Sequence, residues 1–158
     1  MQEIKPFLWY DGRAEEAIRF YTSVFKNSKI ISIDYWAKGS PLPEGQVKTG
    51  VFELNGLVFN AFDAGPAFKF NEAVSFLVDC DTQEEVDYYW EKLSEGGEKS
   101  RCGWLKDQFG VSWQIIPKKL MAYMADKDPA KAERVMKAMM QMDKIDMAKL
   151  DEAYAMNT

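Results

Sequence analysis

The sequence predicts an α+β protein of two tandem βαβββ modules followed by helices, and three observations carry that prediction. "FLWYDGRAEEAIRFY", beginning at Phe7, is answered by "FLVDCDTQEEVDYYW", beginning at Phe76, and each copy reads as strand, polar turn and amphipathic helix. Strand-like runs follow the helix in both copies. After Lys118 the alternation of strands gives way to helical spacing.

Written without a gap, the copies lie 76 − 7 = 69 residues apart. That offset matches Glu15 and Glu16 with Glu84 and Glu85, Ala17 with Val86, and Phe20 and Tyr21 with Tyr89 and Trp90. Asp11 is placed to accept hydrogen bonds from the first turn of the first helix, and Thr82 with Glu85 has capping-box spacing in the second. Ala17, Phe20, Tyr21 and Val24 form one apolar stripe; Val86, Tyr89, Trp90 and Leu93 form its counterpart, ended by Gly96 and Gly97. Both stripes read as core.

In the first copy the later strands are "SKIISIDYW", "GQVKTGVFEL" and "LVFNAFD", with Asn55-Gly56 as a hairpin turn. In the second, "SRCGWL" precedes "VSWQIIP" across a turn at Gly110, and the strand near Glu98 to Arg101 is weakly marked. The modules span about 4–66 and 73–117 and are expected to act as one domain over 1–117. "DAGPAFKFNEA" links them, with aromatics that could fold over a pocket. A helical extension covers 118–158: Asp128-Pro129 starts one helix, with Val135, Met139 and Met142 on one face, and a second starts near Asp146, carrying Met147, Leu150 and Tyr154. These faces read as packing against the domain.

Composition narrows the function. The net charge of −5, with no basic stripe, argues against nucleic acid or an anionic membrane as partner. "MQEIKPFLWYDG" lacks a signal-peptide core and no run approaches the roughly 18 apolar residues of a membrane span, so a cytoplasmic location is expected. There is no histidine, which removes Ser-His-Asp and Cys-His catalysis, His-ligated metal and His acid–base work. Cys80 and Cys102 fit no zinc or redox spacing and read as reduced thiols.

"PFLWYDGRAEEAIRFYTSVF", "GPAFKFNEAVSFLVDCDTQEEVDYYWEKLSEGGE", "CGWLKDQFGVSWQIIP" and "DPAKAERVMKAMMQMDKID" resemble the vicinal oxygen chelate superfamily of glyoxalases, extradiol dioxygenases and bleomycin-resistance proteins. Within it they look like the PhnB-like branch, labelled 3-demethylubiquinone-9 3-methyltransferase-like. The resemblance implies curved, cup-like mixed sheets, a homodimer, and a divalent metal held by the first and last strands of each half. Laid over the family pattern, the last-strand ligands fall on Asn60 and Gln114, and the first-strand ligands near Ile4 or Pro6 and near Ala73 or Ser75.

None of those residues is His, Asp or Glu, and two amides without a charged ligand make a weak cation site. The expectation is therefore no metal and no cofactor. The amides also read as contacts for a small ligand or as polar core bonded to backbone. Phe62, Leu8, Leu77 and Ser112 are expected on the faces of Asn60 and Gln114, giving a mostly apolar cup with Trp36 and Trp104 at its rim. Asn60, Phe62, Trp104 and Gln114 are the candidate contacts for a small apolar or aromatic molecule.

Two other readings stand beside this one. The family label suggests a methyltransferase, although no Gly-rich loop joins a strand to a helix as in nucleotide-cradling folds; Asp63, Glu53 or Tyr35 would then do acid–base work. Alternatively the cup is occluded and serves dimerisation. Whether modules pair within or between chains is left open.

Overall fold

The computed structural model describes residues 1–156, so the last two residues of the expected extension lie outside it. The chain divides into two compact units, Met1–Lys69 and Phe70–Thr158. Each carries a four-stranded mixed sheet with one helix on one face.

The first unit runs β1 (Phe7–Tyr10), α1 (Ala14–Val24), β2 (Ser28–Tyr35), β3 (Val47–Leu54) and β4 (Leu57–Asp63). Its sheet order is β1-β4-β3-β2, with β1 parallel to β4 and the other pairs antiparallel. Asn55 and Gly56 take φ of 48° and 89°, the left-handed pair that a tight turn between antiparallel strands requires. Ala17, Ile18, Tyr21 and Val24 of α1 are buried against the sheet, where Tyr21 stacks on Phe52 and Phe52 on Phe59. The larger of these side chains, Ile18, Val24, Phe52 and Phe59, contribute roughly 1.5–3 kcal/mol each by leaving water.

The cap of α1 is not the expected one. Arg13 occupies the N-cap and makes no side-chain cap bond. The Asp63 carboxylate, 2% exposed at the end of β4, does that work instead: Oδ1 accepts from the Ala14 amide at 3.0 Å, and Oδ2 from the Val47 amide at 2.9 Å. A buried carboxylate beside a helix N-terminus is favoured by the helix dipole and by both amide donors.

The second unit runs β5 (Ser75–Cys80), α2 (Gln83–Ser94), β6 (Glu98–Lys99), β7 (Trp104–Lys106) and β8 (Ser112–Pro117), then α3 (Lys118–Met124), α4 (Pro129–Met139) and α5 (Met147–Ala155). The sheet order, β5-β8-β7-β6, repeats that of the first unit. Thr82 caps α2 as its spacing predicts, accepting from the Glu85 amide at 3.2 Å. The weakly marked strand is indeed short: β6 has two residues. Asp107, 3% exposed, closes the β7–β8 turn by accepting from the amides of Phe109 and Val111 and from the Trp113 indole at 2.9–3.0 Å.

The repeat contains a one-residue gap. In β1 and β5 the last residues, Tyr10 and Cys80, are buried and pair with Asp63 and Pro117, which makes these two positions equivalent. Asp11 to Arg13 then separate strand from helix in the first unit, and only Asp81 and Thr82 do so in the second. The ungapped offset holds for the helices and slips by one in the strands, and a slip of one moves every side chain to the other face. Leu77 accordingly lies on the open face, 44% exposed, while Leu8 is turned to the helix side at 6%. The expectation that Leu8 shares the face of Asn60 is corrected here; Phe7 and Trp9 occupy that side.

Helix α3 continues directly from β8 and is not signalled in the sequence. Asp128 and Asp146 cap α4 and α5 as expected, accepting from Ala130 at 3.0 Å and Lys149 at 3.2 Å. Helix α4 ends at Met139, so Met142 is buried beyond it rather than on its face. The extension is bound to its unit by backbone: Cys102 and Gly103 amides donate to the Met142 and Asp143 carbonyls, both at 2.8 Å, and Gln83 bonds the Ile145 carbonyl and Met147 amide.

Among the extension's helices, Tyr123 and Tyr154 stack at 4.1 Å, and their hydroxyls donate to Asp151 and Asp126, each at 2.6 Å. Those bonds hold both carboxyls below their ordinary 3.8 and push the Tyr123 phenol up to about 12. A depressed carboxyl pKa gives stability that is present above 3.8 and lost as pH falls; a raised phenol pKa gives stability present below 10 and lost as pH rises toward 12. The share of stability that these bonds supply, read from urea midpoints followed by circular dichroism, should therefore hold between those limits and fall outside them. Tyr123→Phe, which removes the bond to Asp151, is expected to shrink both declines.

Candidate functional site

Strand alternation leaves each sheet one face without a helix. In the first unit that face carries Phe7 and Trp9 from β1, Asn60 and Phe62 from β4, and Val51 and Glu53 from β3, as the register Phe7↔Asn60, Trp9↔Phe62 and Val51↔Asn60 requires. Phe62 packs edge-on against Phe7 at 4.9 Å and Trp9 at 5.1 Å, and Phe68 meets Trp9 at 4.9 Å. Phe68, from the segment expected as a linker, is 66% exposed and adds to the aromatic surface. Within this apolar ground the side-chain oxygen of Asn60 is buried with no hydrogen-bond partner.

In the second unit the corresponding face carries Ser75 and Leu77 from β5, Ser112 and Gln114 from β8, and Trp104 and Lys106 from β7. Gln114 is the structural counterpart of Asn60, since each pairs with the residue three before the end of its first strand, Leu77 and Phe7. Its amide donates to the Ser75 hydroxyl at 2.9 Å. Ser112 is fully buried and its hydroxyl has no partner. A buried polar atom left without a partner is uncommon in native proteins, and a bound molecule is one standard cause.

A cleft of about 400 Å³ opens beside Ser112, lined by Glu72, Glu98, Ser100, Arg101, Trp104 and Lys106 among others. Glu72 and Lys106 form an ion pair across it, which lowers the Glu72 pKa and raises that of Lys106. The sequence reading missed these charged groups. Alternation along β7 selects Lys106 as soon as Trp104 is selected, but nothing local marks Glu72.

Of the four candidate contacts, Asn60 and Phe62 share the open face of the first unit, and Trp104 and Gln114 are register partners on that of the second. Trp36 is held in the first unit, its indole donating to the Asp63 carbonyl at 2.9 Å. Two of the three residues considered for acid–base work are otherwise engaged: Asp63 caps α1, and the Tyr35 hydroxyl donates to Glu15 at 2.6 Å, a bond that raises the phenol and, with Arg19, lowers the carboxyl; the third, Glu53, stands on the open face of β3. Cys80 is buried, and loss of solvent pushes its thiol up to about 12. No group of three or more His, Cys, Asp or Glu able to hold a metal occurs among the described residues.

Repeated βαβββ units with matching open faces define a vicinal oxygen chelate fold of the PhnB-like kind. The family model described as 3-demethylubiquinone-9 3-methyltransferase matches residues 2–116, and the chain belongs to that family. A PhnB protein of Bacillus cereus that carries the same family name is 39% identical, with 73% of this chain and 99% of that one covered and a TM-score of 0.70. A protein of Pseudomonas aeruginosa is 20% identical over 74% of this chain and 98% of its own, with a TM-score of 0.63. The fosfomycin resistance protein FosX of Listeria monocytogenes, solved with Mn(II) and sulfate, is 16% identical over 73% and 91%, with a TM-score of 0.51. Among curated proteins none matches in sequence. Helices α3 to α5 lie beyond the residues that the family model matches.

The superfamily's metal tests poorly against this chain. The open-face positions of the first and last strands carry Phe7 and Asn60 in one unit and Leu77 with Gln114, beside Ser75, in the other. Ile4, 95% exposed, and Pro6 precede β1 altogether. Divalent Mn, Fe or Mg asks for carboxylate or imidazole, and this set offers amide, hydroxyl and hydrocarbon.

Proposed function

We propose that the chain is a PhnB-like binding protein that takes a small apolar or aromatic molecule on the open face of its sheets, without a metal. The observation that carries this reading is the pair of buried polar atoms with no partner, Asn60 Oδ1 and Ser112 Oγ, each on a helix-free sheet face furnished with aromatic side chains. Aromatic walls with a few polar anchors suit a small organic ligand. The neutral donor set supports the absence of metal from the reading. The net charge of −5 and the lack, among the described residues, of a helix able to cross a membrane agree with a cytoplasmic setting, and light scattering tests the accompanying homodimer.

Methyl transfer, implied by the family's name, draws no support from the strand-to-helix turns, which are two and three residues long and unsuited to cradling a nucleotide-like cofactor. Calorimetry with S-adenosylmethionine separates the two readings.

A thermal-shift screen of small aromatic and apolar compounds is expected to yield ligands that raise the midpoint by roughly 5 °C at hundredfold excess over Kd. Asn60→Ala or Gln114→Ala should diminish that rise. A broad screen in which nothing shifts the midpoint, or in which both variants respond as the parent does, counts against the proposal.

A further inference from the structure

We infer that the cleft on the open face of the second unit takes an aromatic carboxylate, whose anionic group replaces the Glu72 carboxylate at Lys106 and accepts a hydrogen bond from Ser112. The inference rests on the small-molecule reading above and adds the charge of the ligand. Ser75, Ser112 and Lys106 form one row across β5, β8 and β7, all on the open face. Glu72 lies three residues before Ser75, so its ion pair with Lys106 reaches from the β5 side across β8 at the level of Ser112. The chain's own carboxylate is thus held by Lys106, whose register partner Ser112 offers a fully buried hydroxyl with no partner.

The seat is not permanently taken. The Glu72 side chain is 57% exposed and that of Lys106 36%, and ion pairs this open to water hold little free energy, so exchanging one carboxylate for another costs little. The gain comes from giving Ser112 an acceptor and from apolar contact with Trp104. Two other charges face the cleft. Arg101, which donates to the Met140 carbonyl at 2.9 Å, favours an anion; Glu98, the register partner of Lys106, opposes one, but it is exposed and its field is screened.

The test titrates the isotopically labelled full chain with benzoate and with benzamide, its neutral near-isostere, following amide shifts by nuclear magnetic resonance. Benzoate is expected to move amides of residues 100–112 and to bind about tenfold more tightly than benzamide. Glu72→Gln should tighten benzoate several-fold, Ser112→Ala should weaken it about tenfold, and Lys106→Met should abolish the difference between the two probes. Circular dichroism checks each fold, and the two surface variants decide the matter should the buried one be unstable. Equal affinities, or no change in Glu72→Gln, overturn the charge assignment and leave small-molecule binding standing. No benzoate response at millimolar concentration also overturns it, while the compound screen judges the broader reading separately.

Discussion

Asp63→Ala is expected to lower the thermal midpoint by roughly 10 °C, among the largest effects of any single polar substitution in the first unit. The side chain is 2% exposed and serves two amides, Ala14 at the start of α1 and Val47 at the start of β3. Removing it leaves both donors buried without an acceptor, and bonds to a charged group are worth about 1.5–3 kcal/mol each. About 3–5 kcal/mol follows once partial relaxation is allowed, and a domain of this size loses about 2–4 °C per kcal/mol. Asp63→Asn keeps one acceptor and should fall between the variant and the parent. Asp11→Ala, by contrast, touches an exposed residue with no capping role and should shift the midpoint by less than about 1 °C. Calorimetric melting of the three variants checks the order; equal losses at Asp11 and Asp63 contradict the capping account.

Gly103→Ala should be comparably damaging in the second unit, through geometry instead of charge. Gly103 has a φ of 83°, which alone costs an alanine about 1–2 kcal/mol. An added Cβ would stand 2.9 Å from the Ile115 carbonyl oxygen and 3.2 Å from Ile145, so backbone must yield at the place where β8 and the C-terminal segment meet. The Gly103 amide donates to Asp143 and its carbonyl accepts from Ile115 at 2.7 Å, and both bonds are put at risk. A loss of about 3–5 kcal/mol is expected, with hydrogen exchange accelerated across residues 142–150 before the sheet itself. Uniform acceleration over the whole unit would show that the extension is not the weaker element.

How much of this was legible in the sequence follows from the range of the interactions involved. Helices α1, α2, α4 and α5 announce themselves because the spacing of Ala17, Tyr21 and Val24, and the caps at Thr82, Asp128 and Asp146, are local. The cap of α1 is not local: Asp63 lies 49 residues from Ala14, and only the pairing of β1 with β4 brings them together. Strand faces are legible only as far as register is. Asn60, Phe62, Trp104, Leu77 and Ser112 fall where alternation puts them, whereas Leu8 was misplaced because the repeat hides a one-residue gap in a turn. Gln114 was readable as an amide in place of a carboxylate, but its bond to Ser75, and the ion pair between Glu72 and Lys106, depend on chain segments over 30 residues apart. Helix α3 had no cap to betray it, since Pro117 ends a strand and begins a helix at once.

The most direct test of the account is a crystal structure of the chain grown with a compound from the screen and with Mn(II) together. The account predicts the organic molecule against Asn60 and Phe62 or in the cleft of Trp104, Lys106 and Ser112, satisfying one of the two lone polar atoms, with no metal on either amide. A divalent ion ligated by Asn60 or Gln114, or a ligand seated on the C-terminal helices while both sheet faces stay empty, would contradict it.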